Sequence, residues 1–401
     1  MAMKKLAIIL VLFVFAALGT HAKDTHYTVI VSLDGCRWDY PQWYDTPFFD
    51  KMATMGVESG LIPSFPSKTF PNHYALATGL YPDHHGIIAN EFLDRESGEY
   101  FSLGDPAQKT NPKFYGGEPI WVTAKKQGIK TAVFYWPGSD VKVKGMYPDI
   151  YYVYDQKPRL SPSDRINGII SQLKKPEKER PHLIMAYFEQ PDANGHAFGP
   201  QSKETRKAVV TVDSLMHELY DRMQQLPIAQ DINFIVVSDH GMTWISKAHA
   251  IPIAKYLKKN WVIKESGSIP CNIYVRDHNA DSVVNALKGV AHLKVWKKQE
   301  IPAYLHYGSN SRVGDVVALP DIGYCVTEGT IKDGGQHGFD PNLMDMHAMF
   351  RAIGPDFQHV NAPHFKNVNV YPLLCFLLGI QPAPNDGQVP LEILSHTAIG
   401  K

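Results

Sequence analysis

The sequence predicts an α/β fold, a mostly parallel central sheet with helices on both sides and a small α+β subdomain inserted late in the chain. Two observations predict it. Short apolar runs without polar alternation recur along the chain, each separated from the next by a helical pattern. Strands read this way when both faces of a parallel sheet are covered, because neither face meets water. The third element, the insertion, is predicted by a break in that rhythm between about residues 247 and 330.

The runs are Tyr27–Leu33, Lys130–Trp136, His182–Phe188 and Ile232–Ser238. The first reads YTVIVSL, rich in β-branched residues that suit a pleated surface. Helical patterns lie between them. Glu118–Gln127 leads into Gly128, a good C-terminal stop. Ser161–Leu173 opens with Ser and Asp, as helix N-caps prefer. Ser202–Leu226 is long, with apolar residues at helical spacing. Within 247–330 the signals are short strands such as Ile273–Val275, an amphipathic helix near Ala280–Gly289, and turns. The main pattern resumes at Gly334.

The 401 residues are 44% apolar and 20% charged, enough to bury a large core. Forty Lys and Arg balance forty Asp and Glu. That balance argues against specific nucleic-acid binding, which needs a basic excess to displace counterions. It leaves room for a small anionic substrate. Lys4 and Lys5, the apolar run Leu6–Leu18 and the small Ala22 read as a signal peptide over residues 1–22. The expected product is a mature chain of residues 23–401, secreted or periplasmic, with no transmembrane segment after cleavage. Cys36, Cys271, Cys325 and Cys375 form no CxxC pair and read as buried free thiols. If any two bridge, Cys271 with Cys325 is the expected pair.

The chemistry-bearing residues share a position. Asp34 follows the first strand, Asp192 and His196 the third, Asp239 and His240 the fourth. In an open parallel sheet the strand C-termini lie along one edge, where ligands bind. Acidic and histidine side chains gathered there need a cation to relieve their repulsion. Taken singly, Asp-Gly after a strand is a common turn, and the Gly- and Pro-rich segment around Asp192 and His196 is by default a loop. Asp239-His240 at a strand end and His337 in Gly-Gly-Gln-His-Gly point more strongly to metal. Imidazole and carboxylate donors without thiolates suit a catalytic Zn²⁺ site. Thr69 heads a segment with Pro71 in its first turn and a stop near Gly79. A hydroxyl there is ordinarily an N-cap; metal activation would make it a nucleophile.

The segments SLDGCRWDY, PSKTFPNHYALATGLYPDHHGIIAN, PDANGHAFGP, SDHGM and GGQHG, in this order, resemble the nucleotide pyrophosphatase/phosphodiesterase family of the alkaline phosphatase superfamily. The resemblance runs from about residue 27 to about 380. It implies an alkaline-phosphatase-like three-layer sandwich and two Zn²⁺ per chain. Asp34, Thr69, Asp239 and His240 would hold one ion, and Asp192, His196 and His337 the other. Thr69 would attack phosphorus. Asn90 and the Phe70 N–H would steady phosphate oxygens, and Phe70 and Tyr154 would sandwich a nucleotide base. The implied activity is hydrolysis of nucleotide phosphodiester or pyrophosphate bonds, releasing nucleoside 5′-monophosphates. Lysophospholipid or choline phosphodiesters are an alternative substrate class, and phosphomonoester hydrolysis an alternative reaction. His73 at the fourth position after Thr69 departs from the sulfatase pattern, which needs Arg there. A metal-stabilised binding protein would be expected to lack the nucleophile or a ligand, and this chain has both.

Overall fold

The computed structural model describes residues 26–400 apart from 328 and 330. The expected signal peptide therefore lies outside the described residues. The central sheet has nine strands. Its order is Val360–Asn361, Val57–Ile62, Ala348–Ile353, Ile232–Val237, Tyr27–Leu33, Leu183–Phe188, Thr131–Phe134 and Ile150–Tyr152, with Phe365–Lys366 also paired to Val57–Ile62. Tyr27–Leu33 sits centrally, parallel to both neighbours. Ala348–Ile353 runs antiparallel to the strands on either side of it.

Alternate residues of each strand feed two separate cores, as the pleat requires. Val29, Val31, Phe234 and Val236 pack with Phe48, Met52, Ile169 and Met216 on one face. Those partners come from helices Pro47–Met55, Pro162–Leu173 and Lys203–Gln224. Ile30, Ile235 and Val237 face the opposite layer, with Leu76, Trp121 and Leu374. That layer is built from helices Thr69–Thr78, Ile120–Lys126 and Val370–Leu377. Each fully buried Val or Ile contributes about 1.5–3 kcal/mol relative to exposure. An acidic residue at Val31 would place an unpaired charge between the sheet and the first of these helix layers.

Within the late segment, an antiparallel sheet runs in the order Val262–Ser266, Cys271–Val275, Val316–Pro320, Leu293–Lys297. Helix Ala280–Leu287 covers it through Val283 and Leu287. It is anchored to the main body at Asp83, whose carboxylate accepts the N–H groups of Gly308, Ser309 and Asn310 and the Ser309 hydroxyl. All four cysteines are buried and free, so Cys271 and Cys325 form no disulfide. No described helix is long and apolar enough to cross a membrane.

Candidate active site

The C-terminal ends of the central strands carry the predicted cluster. Asp34 lies directly after Tyr27–Leu33, and its amide donates to the Phe188 carbonyl (2.9 Å). The Asp192 amide in turn donates to the Asp34 carbonyl (2.9 Å), tying the third strand's exit to the first. Asp192 and His196 stand on a helix, Asp192–Phe198, rather than in the expected loop. Their i, i+4 spacing brings His196 Nε2 to 3.4 Å from Asp192 Oδ1. His337 Nε2 lies 3.1 Å from His196 Nε2 and 3.8 Å from Asp192 Oδ1.

His240 joins this group to a second one. Its Nε2 is 3.0 Å from Asp239 Oδ2, 3.5 Å from Asp34 Oδ1 and 3.1 Å from Thr69 Oγ1. The His240 and His337 rings stack at 3.5 Å. Two overlapping sets of metal-type donors result: Asp34, Asp239 and His240, and Asp192, His240 and His337. His196 reaches the second set by the distances above.

These residues fit divalent cations on two independent counts. Asp34 Oδ1, Asp192 Oδ1 and Asp239 Oδ2 are buried with no hydrogen-bond partner among the described residues. Buried carboxylate oxygens are ordinarily paired, so three orphans aimed into one cluster mark a place for positive charge. The histidines are preset as ligands. His196, His240 and His337 each direct Nδ1 at a backbone carbonyl, of Gly335 (2.8 Å), Gly241 (2.8 Å) and Ser67 (2.7 Å). A carbonyl only accepts, so Nδ1 carries the proton and Nε2 presents its lone pair to the cluster. Gly335 is needed for this approach, since a Cβ there would meet the Gly195 carbonyl at 2.4 Å.

Electrostatics without cations are strained accordingly. Burial pushes Asp34 well above the carboxylate range, and the Asp239 and Asp192 charges push it further. Burial also acts upward on Asp239, but His240 and His73 beside it outweigh this and hold it well below its ordinary value. Burial holds His337 well below its ordinary value, and His240, Lys68 and His196 act in the same direction.

Thr69 is the first residue of its helix, with Lys68 at the N-cap position. It is therefore not the N-cap, and its hydroxyl points to His240. The helix ends at Gly79 in the left-handed region, as read from the sequence. Asn90 accepts the Phe70 N–H at Oδ1 (3.1 Å). The Phe70 amide, expected to meet a phosphate oxygen, here donates to Asn90, and the Asn90 amide nitrogen takes no part in this bond.

A cavity of about 260 Å³ opens beside Thr69 and Asp34. Phe70 and Tyr154 both line it, together with Tyr135, Trp136, Tyr152 and Tyr187. The Arg159 guanidinium lies 3.8 Å from the Tyr154 ring centroid. Lys109, Asp140 and Asp155 add charge to the wall, with Lys109 paired to Asp155.

Sequence reasoning missed two supporting residues. Tyr187 donates from Oη to Asp34 Oδ2 (2.5 Å) while lining the cavity. His73 contacts the Thr69 carbonyl (2.9 Å) and Asp239 Oδ2 (3.3 Å) through Nδ1, and Ser32 Oγ (2.9 Å) through Nε2. The signal for His73 was available: it stands four residues after Thr69, on the same helix face. Tyr187 is hidden inside an apolar strand run.

Comparison with known proteins agrees with this geometry. The family model for type I phosphodiesterase/nucleotide pyrophosphatase matches residues 28–340. Human ectonucleotide pyrophosphatase/phosphodiesterase family member 1 is 36% identical over 384 residues, 91% of this chain and 41% of the relative. Venom phosphodiesterase of Macrovipera lebetinus is 35% identical over 377 residues, 90% of this chain and 44% of the relative. The chain thus spans about two fifths of the length of these curated relatives. Among solved structures, murine ectonucleotide pyrophosphatase/phosphodiesterase 5, inactive and in complex with AMP, superposes with a TM-score of 0.86 at 33% identity, covering 92% of this chain and all of that one. The human form of the same protein gives the same score and coverage. With this fold, this order of site residues and this extent of similarity, the chain belongs to the type I phosphodiesterase/nucleotide pyrophosphatase family.

Proposed function

We propose that the chain hydrolyses phosphodiester or pyrophosphate bonds of nucleotides and nucleotide derivatives, releasing nucleoside 5′-monophosphates through a covalent intermediate on Thr69. The observation that carries this reading is the meeting of one hydroxyl, three orphaned carboxylate oxygens and three Nε2 lone pairs beside an aromatic-walled cavity. Asp34, Thr69, Asp239 and His240 would hold one Zn²⁺, and Asp192, His196 and His337 a second. When bound, the cations supply charge neutralisation, a lowered pKa for a hydroxyl or water, and polarisation of the phosphoryl oxygens.

The chain's own groups do the rest. Thr69 Oγ1 gives up its proton to solvent and attacks phosphorus in line. The Oγ–P bond forms as the bond to the leaving oxygen breaks, giving a phospho-threonine diester. Water then attacks phosphorus opposite Oγ1 and loses a proton, the Oγ–P bond breaks, Oγ1 takes back a proton and the nucleotide leaves. Two inversions predict net retention at phosphorus. Tyr187 and His73 hold Asp34 and Asp239 in place throughout. The Asn90 amide nitrogen donates to a non-bridging oxygen as its charge grows. Phe70 and Tyr154 stack on the base, a contact that tolerates any base. The AMP complex of the murine relative supports a nucleotide substrate for this chain. Residues 23–401 act in this reading as one catalytic unit, exported after cleavage near Ala22, with residues of about 247–330 as an inserted cap.

The test compares a nucleoside 5′-monophosphate nitrophenyl ester, bis-p-nitrophenyl phosphate and p-nitrophenyl phosphate. Preference for the nucleotide diester, abolished by chelation and in Thr69→Ala, is expected. Equal or faster cleavage of the monoester would overturn the diesterase reading.

A further inference from the structure

We propose that Arg159 is a positioning residue for nucleotide specificity: its guanidinium stacks on the back of the Tyr154 ring and, together with Tyr135, holds that ring ready for a base before substrate arrives. The inference rests on the stacking of a base against Tyr154 proposed above. Arg159 Cζ lies 3.8 Å from the Tyr154 ring centroid, close enough for full cation–π contact. Tyr154 lines the aromatic cavity and Arg159 does not, so the guanidinium is on the side of the ring turned away from the cavity.

The other contacts of Arg159 aim it at the ring. Its Nε donates to the carbonyl of Tyr154 itself (2.7 Å), which folds the side chain back over that residue. Its Nη2 reaches Asp155 Oδ1 only at 3.5 Å, the outer limit of a hydrogen bond, and an exposed i, i+4 pair of this kind contributes little. The ion pair therefore does not account for the geometry. Asp155 turns its other oxygen to Lys109 in the cavity wall. A planar guanidinium lies flat on a ring in a way that an ammonium cannot.

Tyr135 fixes the frame. It has φ +65°, a left-handed backbone that a bulky side chain adopts only where its surroundings require it. Its ring is buried and lines the cavity. It meets Tyr154 at 90°, with 5.5 Å between centroids, and its Oη accepts the N–H of Leu160 (2.7 Å), the residue after Arg159. One side chain thus sets both the tilt of the Tyr154 ring and the backbone from which Arg159 folds over it. Tyr187, tied to Asp34, meets the same ring at 73°. Tyr154 stands in a turn outside the strands and helices. A ring so placed would ordinarily lose its rotamer freedom when a base binds. Here that ordering precedes binding, which raises affinity without a new contact to the substrate.

The experiment keeps the leaving group fixed and varies what is transferred. Wild type, Arg159→Ala, Arg159→Lys and Tyr135→Phe are assayed on the nitrophenyl ester of a nucleoside 5′-monophosphate and on methyl p-nitrophenyl phosphate, whose transferred group carries no ring. Arg159→Ala is expected to raise KM for the nucleotide ester about three- to tenfold with kcat little changed, and to leave kcat/KM for the methyl diester unaltered. Arg159→Lys, which keeps the charge without the plane, should recover part of the loss. Tyr135→Phe, which keeps the ring but strands the Leu160 N–H, should show a smaller loss of the same kind. Calorimetric titration with AMP should show weaker binding to Arg159→Ala by a similar factor. Equal losses on both diesters, or an unchanged KM and AMP affinity in Arg159→Ala, would overturn the proposal while leaving the hydrolase reading intact. A wild type with no preference for the nucleotide ester over the methyl diester would overturn the base-stacking reading and this proposal with it.

Discussion

Asp83 and the three carboxylates of the site are all largely buried, yet they are treated in opposite ways. Asp83 accepts four hydrogen bonds from residues 308–310 at 2.6–3.1 Å, and both of its oxygens are used. Asp34, Asp192 and Asp239 each keep one buried oxygen with no hydrogen bond among the described residues, met only by histidine nitrogens of the cluster. A carboxylate that serves stability has its lone pairs met by the protein; one that serves chemistry waits for something the chain does not supply. The first kind should fail by unfolding, the second by losing metal and activity.

The largest contrast is in turnover. Thr69→Ala and Asp34→Asn are expected to lower nucleotide-ester hydrolysis by roughly a thousandfold or more, with thermal unfolding of the metal-free protein unchanged or slightly raised, since burial and like charges push Asp34 upward. A marked fall in metal-free Tm for Asp34→Asn would show that its charge serves the fold. The next effect is the ligand's own contribution to stability. Zn²⁺ at about a thousand times its Kd should stabilise wild type by about 4 kcal/mol, seen as a rise in Tm that chelator reverses. That rise should be absent or halved in Asp239→Asn and retained in Asp83→Ala.

Asp83→Ala carries the opposite signature. It strands four donors in a buried joint and is expected to destabilise by about 2–4 kcal/mol in denaturant unfolding, while the folded fraction keeps near-normal kcat. Loss of kcat with unchanged stability would reverse the comparison.

The effect of pH is the smallest per unit step. His85 is buried, donates from Nε2 to the Pro71 carbonyl (3.1 Å) and accepts the Ile87 N–H at Nδ1 (3.2 Å). A second proton would displace that N–H, and burial, with His84 acting in the same direction, pushes His85 down to about 3. The unfolded chain therefore takes up this proton first as pH falls. Stability from this group is intact above about pH 6.5 and declines toward about pH 3, by at most about 1.4 kcal/mol per pH unit. Urea unfolding across that window should show the slope, and His85→Gln should flatten it.

Much of this arrangement was legible in the chain. The four apolar runs became adjacent parallel strands because their burial on both faces leaves no alternative pattern. The helix cap at Ser161 was readable because its side chain and Asp164 form a capping box. Other strands were hidden. Ala348–Ile353 contains Arg351, which is tolerated inside because Glu58 on the neighbouring strand pairs with it at 2.8 Å. Val57–Ile62 carries that Glu58 and a glycine, so neither strand reads as apolar alone. The ligand residues announced themselves by position after strands. Tyr187 did not, because its role depends on a contact made across more than a hundred residues of chain.

The central claim is that the orphaned oxygens are ligand positions for two cations. The most direct measurement is the zinc bound per chain at equilibrium dialysis, by emission spectrometry, in wild type and Asp192→Ala. The account predicts two ions in the active wild type and one in the variant, with hydrolysis lost alongside the second ion. A fully active wild type holding one ion or none would contradict it.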